Sequence, residues 1–344
     1  MMRVSAGTAA VLGLNRIRLA AAPTTAYLMT GEGCAYDCAF CTQARSASAR
    51  RGALSRVIWP EYDPGAVAER LQAAAAEGRL ERVCLQVVQG SGWRADVAAL
   101  VEAVRGCGLP ISVSVHLARP EDAVELAEMG VDRVAIPLDA ATPELYAQIK
   151  GRPWDPTWRA LLAAAELLPG RVGTHLIVGL GEREADLVCL IGELYRHGIN
   201  VGLFAFTPVR GTRMEGGSSP PLPVYRRVQA AHYLIRRGIV AADNMTFSAD
   251  GELLDFGLTP AALRAALSGG PPGQAGDEPG AAFRTSGCPG CNRPYYNERP
   301  GSELYNYPRP LTAAEVQRSL AQLGLAAPDA VSYRAVSGSG GEGA

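Results

Sequence analysis

Short apolar runs alternate with amphipathic stretches at helical spacing from Thr24 to about Gly257. The runs over 25–29, 82–88, 111–117, 133–136, 173–178 and 201–206 predict strands, with a weaker candidate at 244–248. Most are rich in β-branched or aromatic residues, which suit a pleated, buried surface. Between them, residues 64–76, 94–105, 121–129, 155–168, 184–197 and 224–237 carry Ala, Leu and Val at helical intervals. Regular strand–helix alternation implies parallel strands joined by right-handed crossovers. No glycine fingerprint for a dinucleotide follows the first strand, so a Rossmann sheet is disfavoured. A TIM-type (β/α) barrel, complete or partial, fits better, with its chemistry at the C-terminal ends of the strands.

The pattern changes after Gly257. A helix is predicted over 259–267, then a Gly/Pro-rich loop over 268–280, a dense cysteine-bearing segment over 283–310 and a last helix over 312–323. The chain thus divides into a barrel (1–257), a C-terminal extension (258–325) and a mostly disordered tail (326–344). With 344 residues, 48% of them hydrophobic, there is material for a large core. The net charge of -1 and the scattered Lys and Arg give no case for nucleic acid. There is no apolar run of the roughly 18 residues needed to span a bilayer, and no apolar leader follows Met1. A cytoplasmic location is expected.

Five of the eight cysteines fall into two groups, Cys34/Cys38/Cys41 and Cys288/Cys291. In a reducing compartment such clusters bind metal or do chemistry more often than they form disulfides. Cys107 and Cys189 read as small buried hydrophobes. The first group lies in Thr-Gly-Glu-Gly-Cys-Ala-Tyr-Asp-Cys-Ala-Phe-Cys (30–41), a Gly-rich loop directly after the first barrel strand. Three thiolates there could hold a cubane and leave one iron without a protein ligand, whereas an iron–sulfur cluster usually takes four. A zinc site is the competing reading, but no fourth Cys or His lies nearby in sequence.

The C-x3-C-x2-C spacing, with Phe40 before the last Cys, resembles the signature of the radical S-adenosylmethionine (SAM) superfamily. The resemblance implies a [4Fe–4S] cluster on Cys34, Cys38 and Cys41, with Tyr36 and Phe40 beside SAM. His-Leu-Ile-Val-Gly-Leu-Gly-Glu (175–182) is similar to the strand motif that packs on the adenine, which implicates Ile177, Gly179 and Glu182. Asp139 matches an acidic position by the SAM ribose. Arg152 matches an Arg that pairs the SAM carboxylate, a task suited to a guanidinium fork. Gln89 lies in the segment that takes the place of the loop holding the methionine amine. Such enzymes cleave SAM by one-electron reduction and remove hydrogen from an unactivated C–H bond, while the barrel orients the substrate.

Residues 26–250 resemble biotin synthase most, yet of that family's second-cluster positions only Cys84 is a cysteine here. The others fall near Ser112, Gly173 and Asp250–Gly251. A replacement is offered by Cys-Pro-Gly-Cys-Asn-Arg-Pro-Tyr-Tyr-Asn-Glu (288–298), which resembles the biotin-synthase-like proteins of a two-protein lipoyl synthase. That resemblance also covers Leu-Ser-Arg-Val-Ile-Trp-Pro (54–60) and Tyr-Asn-Tyr-Pro-Arg (305–309). It implies that Cys288 and Cys291 join Cys84 around an auxiliary [4Fe–4S] cluster, with Thr285 or Ser286 as an oxygen ligand. The implied activity is insertion of sulfur at C6 or C8 of a protein-bound octanoyl chain in lipoyl cofactor biosynthesis. The implied partners are an octanoylated H-protein or lipoyl domain, a companion lipoyl synthase protein, and reduced ferredoxin or flavodoxin. Val113, Leu176, Leu203 and Phe204 are candidates for an acyl channel, and Arg210, Tyr295 and Tyr296 for carrier contact or closure of the site. His116 and His175 read more readily as satisfied core histidines. Another radical SAM reaction, including biotin synthesis, and a non-catalytic iron–sulfur or zinc protein are the alternatives.

Overall fold

The computed structural model describes residues 2–31, 33–269, 278–298 and 301–324. The tail expected over 326–344, and most of the loop expected over 268–280, lie outside the described residues. The main sheet runs, in order, β10 (Asn200–Ala205), β9 (Val172–Val178), β8 (Arg133–Ala135), β7 (Ile111–Ser114), β6 (Arg82–Gln86), β2 (Thr25–Met29), β1 (Met2–Val4) and β5 (Glu61–Tyr62). β2 and β6 to β10 pair in parallel, whereas β1 and β5 extend one edge antiparallel. The β10 and β5 edges are not joined, so the sheet is a partial barrel of six parallel strands. A hairpin of β3 (Ala53–Leu54) and β4 (Val57–Ile58) stands apart from it, as does the pair β11 (Thr246–Phe247) and β12 (Leu253–Asp255).

Helices α2 (Pro64–Ala76), α3 (Trp93–Arg105), α4 (Glu121–Glu128), α6 (Trp154–Leu167) and α7 (Glu184–Arg196) make the crossovers that the periodicity predicts. α1 (Ala6–Val11) and α5 (Pro143–Lys150) carry no such prediction. α5 is only two turns long and is held by its ends. The Thr142 hydroxyl accepts from the Leu145 N–H at 3.2 Å, Pro143 opens the helix, and Gly151 closes it at φ 67°. α8 (Leu222–Arg236), α9 (Pro260–Leu267) and α10 (Ala313–Ala321) lie beyond the barrel strands. Residues 244–248 do not form a barrel strand: a 3-10 turn over Ala242–Asn244 leads into the two-residue β11. No helix among the described residues is long and apolar enough to cross a membrane.

Period-two alternation sorts each parallel strand into a helix-facing and a cavity-facing set. On β6, Val83 and Leu85 are fully buried under helices while Cys84 and Gln86 line the interior. On β9, Val172, Thr174, Leu176 and Val178 are buried outward, and Gly173, His175 and Ile177 face inward. Tyr27, Cys84 and Ser112 occupy one register row across β2, β6 and β7. Sequence neighbours far apart thereby become a continuous wall.

The C-terminal segment shares a second core with α7 and α8, formed by residues such as Val188, Tyr233, Leu253, Phe283, Tyr307 and Leu320. This packing crosses the expected border at residue 257. Arg226 is fully buried and donates to the carbonyls of Leu304 (2.6 Å) and Tyr305 (2.7 Å). Arg227 pairs Glu184 at 2.5 Å and donates to Leu323 O. These charge-assisted bonds fasten residues 304–323 to the barrel.

Candidate active site

The loop after β2 places Cys34, Cys38 and Cys41 at the C-terminal end of the barrel. Backbone bonds fix its path: Ala35 N donates to Gln89 O (2.8 Å), Ala39 N to Ile149 O (2.7 Å) and Arg45 N to Tyr36 O (2.9 Å). The loop is thus tied to the β6–α3 connection and to the end of α5. All three thiols open onto a cavity of about 260 Å³ that fills the barrel.

Cys84, Cys288 and Cys291 line the same cavity at its other end. The C-terminal segment crosses the N-terminal ends of the strands. Leu203 N donates to Ser286 Oγ (2.8 Å), Asn200 Nδ2 to Gly287 O (2.7 Å) and Thr24 N to Asn292 Oδ1 (3.0 Å). The sulfurs are embedded in polar contacts. Gln86 Nε2 donates to Cys84 Sγ at 3.1 Å, Ser112 Oγ to Cys288 Sγ at 3.5 Å, and the Tyr27 hydroxyl lies 3.3 Å from Cys291 Sγ. Ser112 is itself held by Arg82 Nη1 at 3.0 Å.

The donor chemistry fits iron–sulfur clusters at both ends. The thiols are only half-buried by area because they face the cavity. Enclosure in the barrel still pushes the Cys41 thiol up to about 12, with Cys38 adding to the effect. Burial likewise raises Cys84, reinforced by Cys288 and Cys291, and raises Cys291. Thiols raised in this way keep their protons until a metal displaces them, as ligation by a cation does. Among the described residues no three His, Cys, Asp or Glu side chains close on a single-ion site. Each trio lines part of the cavity.

The wall beside the first trio carries groups suited to a zwitterionic ligand. The Arg152 guanidinium lies 4.1 Å above the Tyr36 ring and its Nε donates to Tyr146 Oη at 3.1 Å, while its buried Nη1 has no partner. Asp139 holds φ 67°, a strained value for a residue with a Cβ, and forms a buried ion pair with Lys150. His116 packs edge-on against Tyr36 at 4.8 Å. Burial, then Arg152 and Lys150, lowers it to about 3; burial and Arg293 lower His175 to about 4. Both histidines are therefore neutral at physiological pH. The His116 Nδ1 is also buried without a partner, so this histidine is not the satisfied core residue expected.

Tyr36, Phe40, Gln89, Asp139, Arg152 and Ile177 all reach the cavity, as do the six cysteines. Gly179 and Glu182 do not line it. The Glu182 carboxylate accepts from the N–H groups of Gly179 (2.6 Å) and Leu180 (2.9 Å) and shapes the turn after β9. Phe204 and Tyr296 line the cavity, whereas Val113 borders it only along its strand, in the helix-facing row of Leu85. Leu176 and Leu203 are core behind the cavity, and Arg210 is exposed outside. Ser286 lines the cavity and Thr285 does not. Cys189 is exposed on α7 rather than buried, and Cys107 is half-buried against the core. Lys150, Tyr27 and Gln43 are site residues without a sequence motif. Tyr27 could have been found from the alternation of β2, and Lys150 from its place two residues before Arg152.

A cavity with one cysteine trio at the strands' C-terminal ends, inside a partial parallel barrel, defines an iron–sulfur enzyme of the barrel class. Residues 28–192, just under half of the chain, match the family model for the Radical SAM superfamily. The match implies a [4Fe–4S] cluster and SAM. Relatives include the biotin synthase of Ruegeria pomeroyi, 32% identical over 52% of this chain and 57% of the relative. The biotin synthase of Acidiphilium cryptum is 28% identical over 65% of this chain and 70% of its own. The alignments therefore span a little over half to about two thirds of these relatives. Among solved structures, methylornithine synthase aligns over 62% of both chains at 17% identity and a TM-score of 0.46.

Proposed function

We propose that this chain is a sulfur-inserting radical SAM enzyme acting on a protein-bound octanoyl chain, at C6 or C8. The observation that carries the reading is that Cys84, Cys288 and Cys291, some 200 residues apart in sequence, meet at the far end of the cavity that Cys34, Cys38 and Cys41 open onto. When bound, the first cluster with SAM supplies C–H activation, and the second supplies sulfur.

The chain's own residues have the remaining tasks. Arg152 offers its unpartnered Nη1 to the carboxylate of SAM, and Asp139, held by Lys150, offers an acceptor to hydroxyls. Met29, Ile177, Phe204 and Tyr296 give the space between the thiol trios an apolar wall that suits an alkyl chain. The Arg293 guanidinium is 3.7 Å from the Phe204 ring centre and its Nη2 donates to Ser286 O at 2.5 Å, fixing the segment that carries the second trio. Thr207 and Asn297 latch that segment across the barrel, since Asn297 Nδ2 donates to Ala205 O (2.7 Å) and Thr207 Oγ1 to Asn297 O (3.0 Å).

A second reading, biotin formation, is favoured by the names of the relatives at 26–32% identity. Incubation of the reconstituted enzyme with octanoylated H-protein or with the sulfur-free precursor of biotin separates the two. A thiolated octanoyl group by mass spectrometry supports the first proposal. Biotin from the small precursor, with no change in the carrier, would replace it by the second.

A further inference from the structure

Each thiol of the second trio has a polar side chain aimed at it. Gln86 Nε2 donates to Cys84 Sγ at 3.1 Å, Ser112 Oγ to Cys288 Sγ at 3.5 Å, and the Tyr27 hydroxyl stands 3.3 Å from Cys291 Sγ. A thiolate that holds iron carries no proton, so at Cys291 the tyrosine is then the donor. Both hydroxyls are themselves directed. Tyr27 Oη accepts from the Arg293 N–H at 3.0 Å, and Ser112 Oγ accepts from Arg82 Nη1 at 3.0 Å, which leaves each hydroxyl proton for a sulfur. Arg82 is in turn anchored on Asp132 at 2.6 Å. Tyr27 and Ser112 are buried, and hydrogen bonds chained in a low dielectric polarise one another. The sheet register makes the arrangement: Tyr27, Cys84 and Ser112 share one row across β2, β6 and β7, and Gln86 follows Cys84 on the inner face of β6.

The first trio is surrounded differently. Among the described residues no side chain donates to Cys34, Cys38 or Cys41, and Cys41 Sγ accepts from the Gln43 backbone N–H alone, at 3.4 Å. Cations do not separate the two ends, since Arg82 and Arg293 act on the second trio as Lys150 and Arg152 act on the first. The side-chain donors do. We propose that Tyr27, Gln86 and Ser112, acting through the three thiolates, hold the reduction potential of the second cluster above that of the first. A donor to a thiolate withdraws negative charge and stabilises an added electron on the iron, which is one of the ways a protein sets a cluster's potential. Sulfur insertion asks for this order. When an alkyl radical bonds to a sulfide, the radical's electron and one sulfide electron make the C–S bond. The sulfide's other electron passes to ferric iron of the same cluster, so sulfur is oxidised, iron is reduced and no outside oxidant is needed. One centre must give an electron to SAM and the other must take one from sulfide. The inference rests on the sulfur-inserting reading proposed above.

The test is a redox titration followed by electron paramagnetic resonance on the reconstituted full chain, as wild type and with Tyr27→Phe, Gln86→Met and Ser112→Ala together. The Cys34/Cys38/Cys41→Ala and Cys84/Cys288/Cys291→Ala proteins assign each signal to its cluster. The wild type is expected to show two couples, the higher one on the second trio. In the triple variant the reduction equilibrium of that couple is expected to move by about tenfold or more towards the oxidised form, about 59 mV for one electron. Iron content and the first couple should stay as in the wild type. Tyr27→Phe alone keeps the ring and loses only the hydroxyl, and it should give part of the same shift even if the triple variant holds iron poorly. A second couple that Tyr27→Phe does not move, that lies below the first in the wild type, or that falls together with the first overturns the proposal and leaves two clusters in place. A wild type with one cluster, lost with Cys34, Cys38 and Cys41, removes the second centre itself and with it the reading on which the inference rests.

Discussion

Lys150→Met tests the electrostatics of the SAM-side wall most sharply. The Lys150 and Asp139 side chains are only 3% and 9% exposed, so water screens their attraction little. Surface pairs contribute about 0–1 kcal/mol, but removing one partner of a buried pair costs about 3–5 kcal/mol, because the other charge is left uncompensated. Lys150 Nζ also reaches Pro137 O at 3.4 Å and lies 5.8 Å from the Phe40 ring centre, so neighbouring contacts are lost as well. The expected outcome, by urea denaturation of the apoprotein, is a loss of about 3–5 kcal/mol for Lys150→Met. Asp139→Asn should cost a similar amount, and the double variant should recover most of it. SAM affinity, measured by equilibrium dialysis on the reconstituted protein, should stay weak in all three, since either the acceptor or its orientation is gone. A Lys150→Met protein within about 0.5 kcal/mol of wild type would refute the reasoning, because only a solvated pair behaves in that way.

Two further outcomes follow from buried groups. Glu298 Oε2 has no partner, and burial raises its carboxyl from 4.5 to about 7. A raised carboxyl stabilises the fold fully below the unfolded pKa, so stability should fall by about 3 kcal/mol as pH rises from 4.5 through 7. Glu298→Gln should flatten that slope in pH-dependent urea melts; an identical slope would contradict the assignment. Arg152→Met should weaken SAM binding by about tenfold or more, the effect of one lost charge-assisted hydrogen bond, while leaving iron content unchanged. An unaltered affinity would show that Nη1 does not meet the ligand.

Much of the barrel was legible because parallel strands buried on both faces read as short apolar runs, as residues 25–29 do. The short strands β1 and β5 escape the same reading, since three and two residues carry no period and their pairing is antiparallel. α5 was missed for a related reason: its eight residues owe their helix to Thr142, Pro143 and Gly151 rather than to an apolar stripe. Cys189 shows the opposite failure, for a cysteine's apolar character does not say which helix face it occupies. At the site, the spacing of Cys34, Cys38 and Cys41 is local and visible in sequence. The meeting of Cys84 with Cys288 and Cys291 depends on the C-terminal segment folding under the barrel, which no periodicity reports. Glu182 belongs to a motif similar to one that contacts SAM, yet here its carboxylate is spent on the turn after β9.

The central claim is that two cysteine trios, at opposite ends of one cavity, hold two separate clusters. Anaerobic iron and sulfide analysis with Mössbauer spectra tests it most directly, on the wild type and on Cys34/Cys38/Cys41→Ala and Cys84/Cys288/Cys291→Ala proteins. Two [4Fe–4S] clusters in the wild type, each variant losing a different one, is the expected result. A single cluster untouched by the Cys84/Cys288/Cys291 change would contradict the account and leave a radical SAM enzyme without an internal sulfur source.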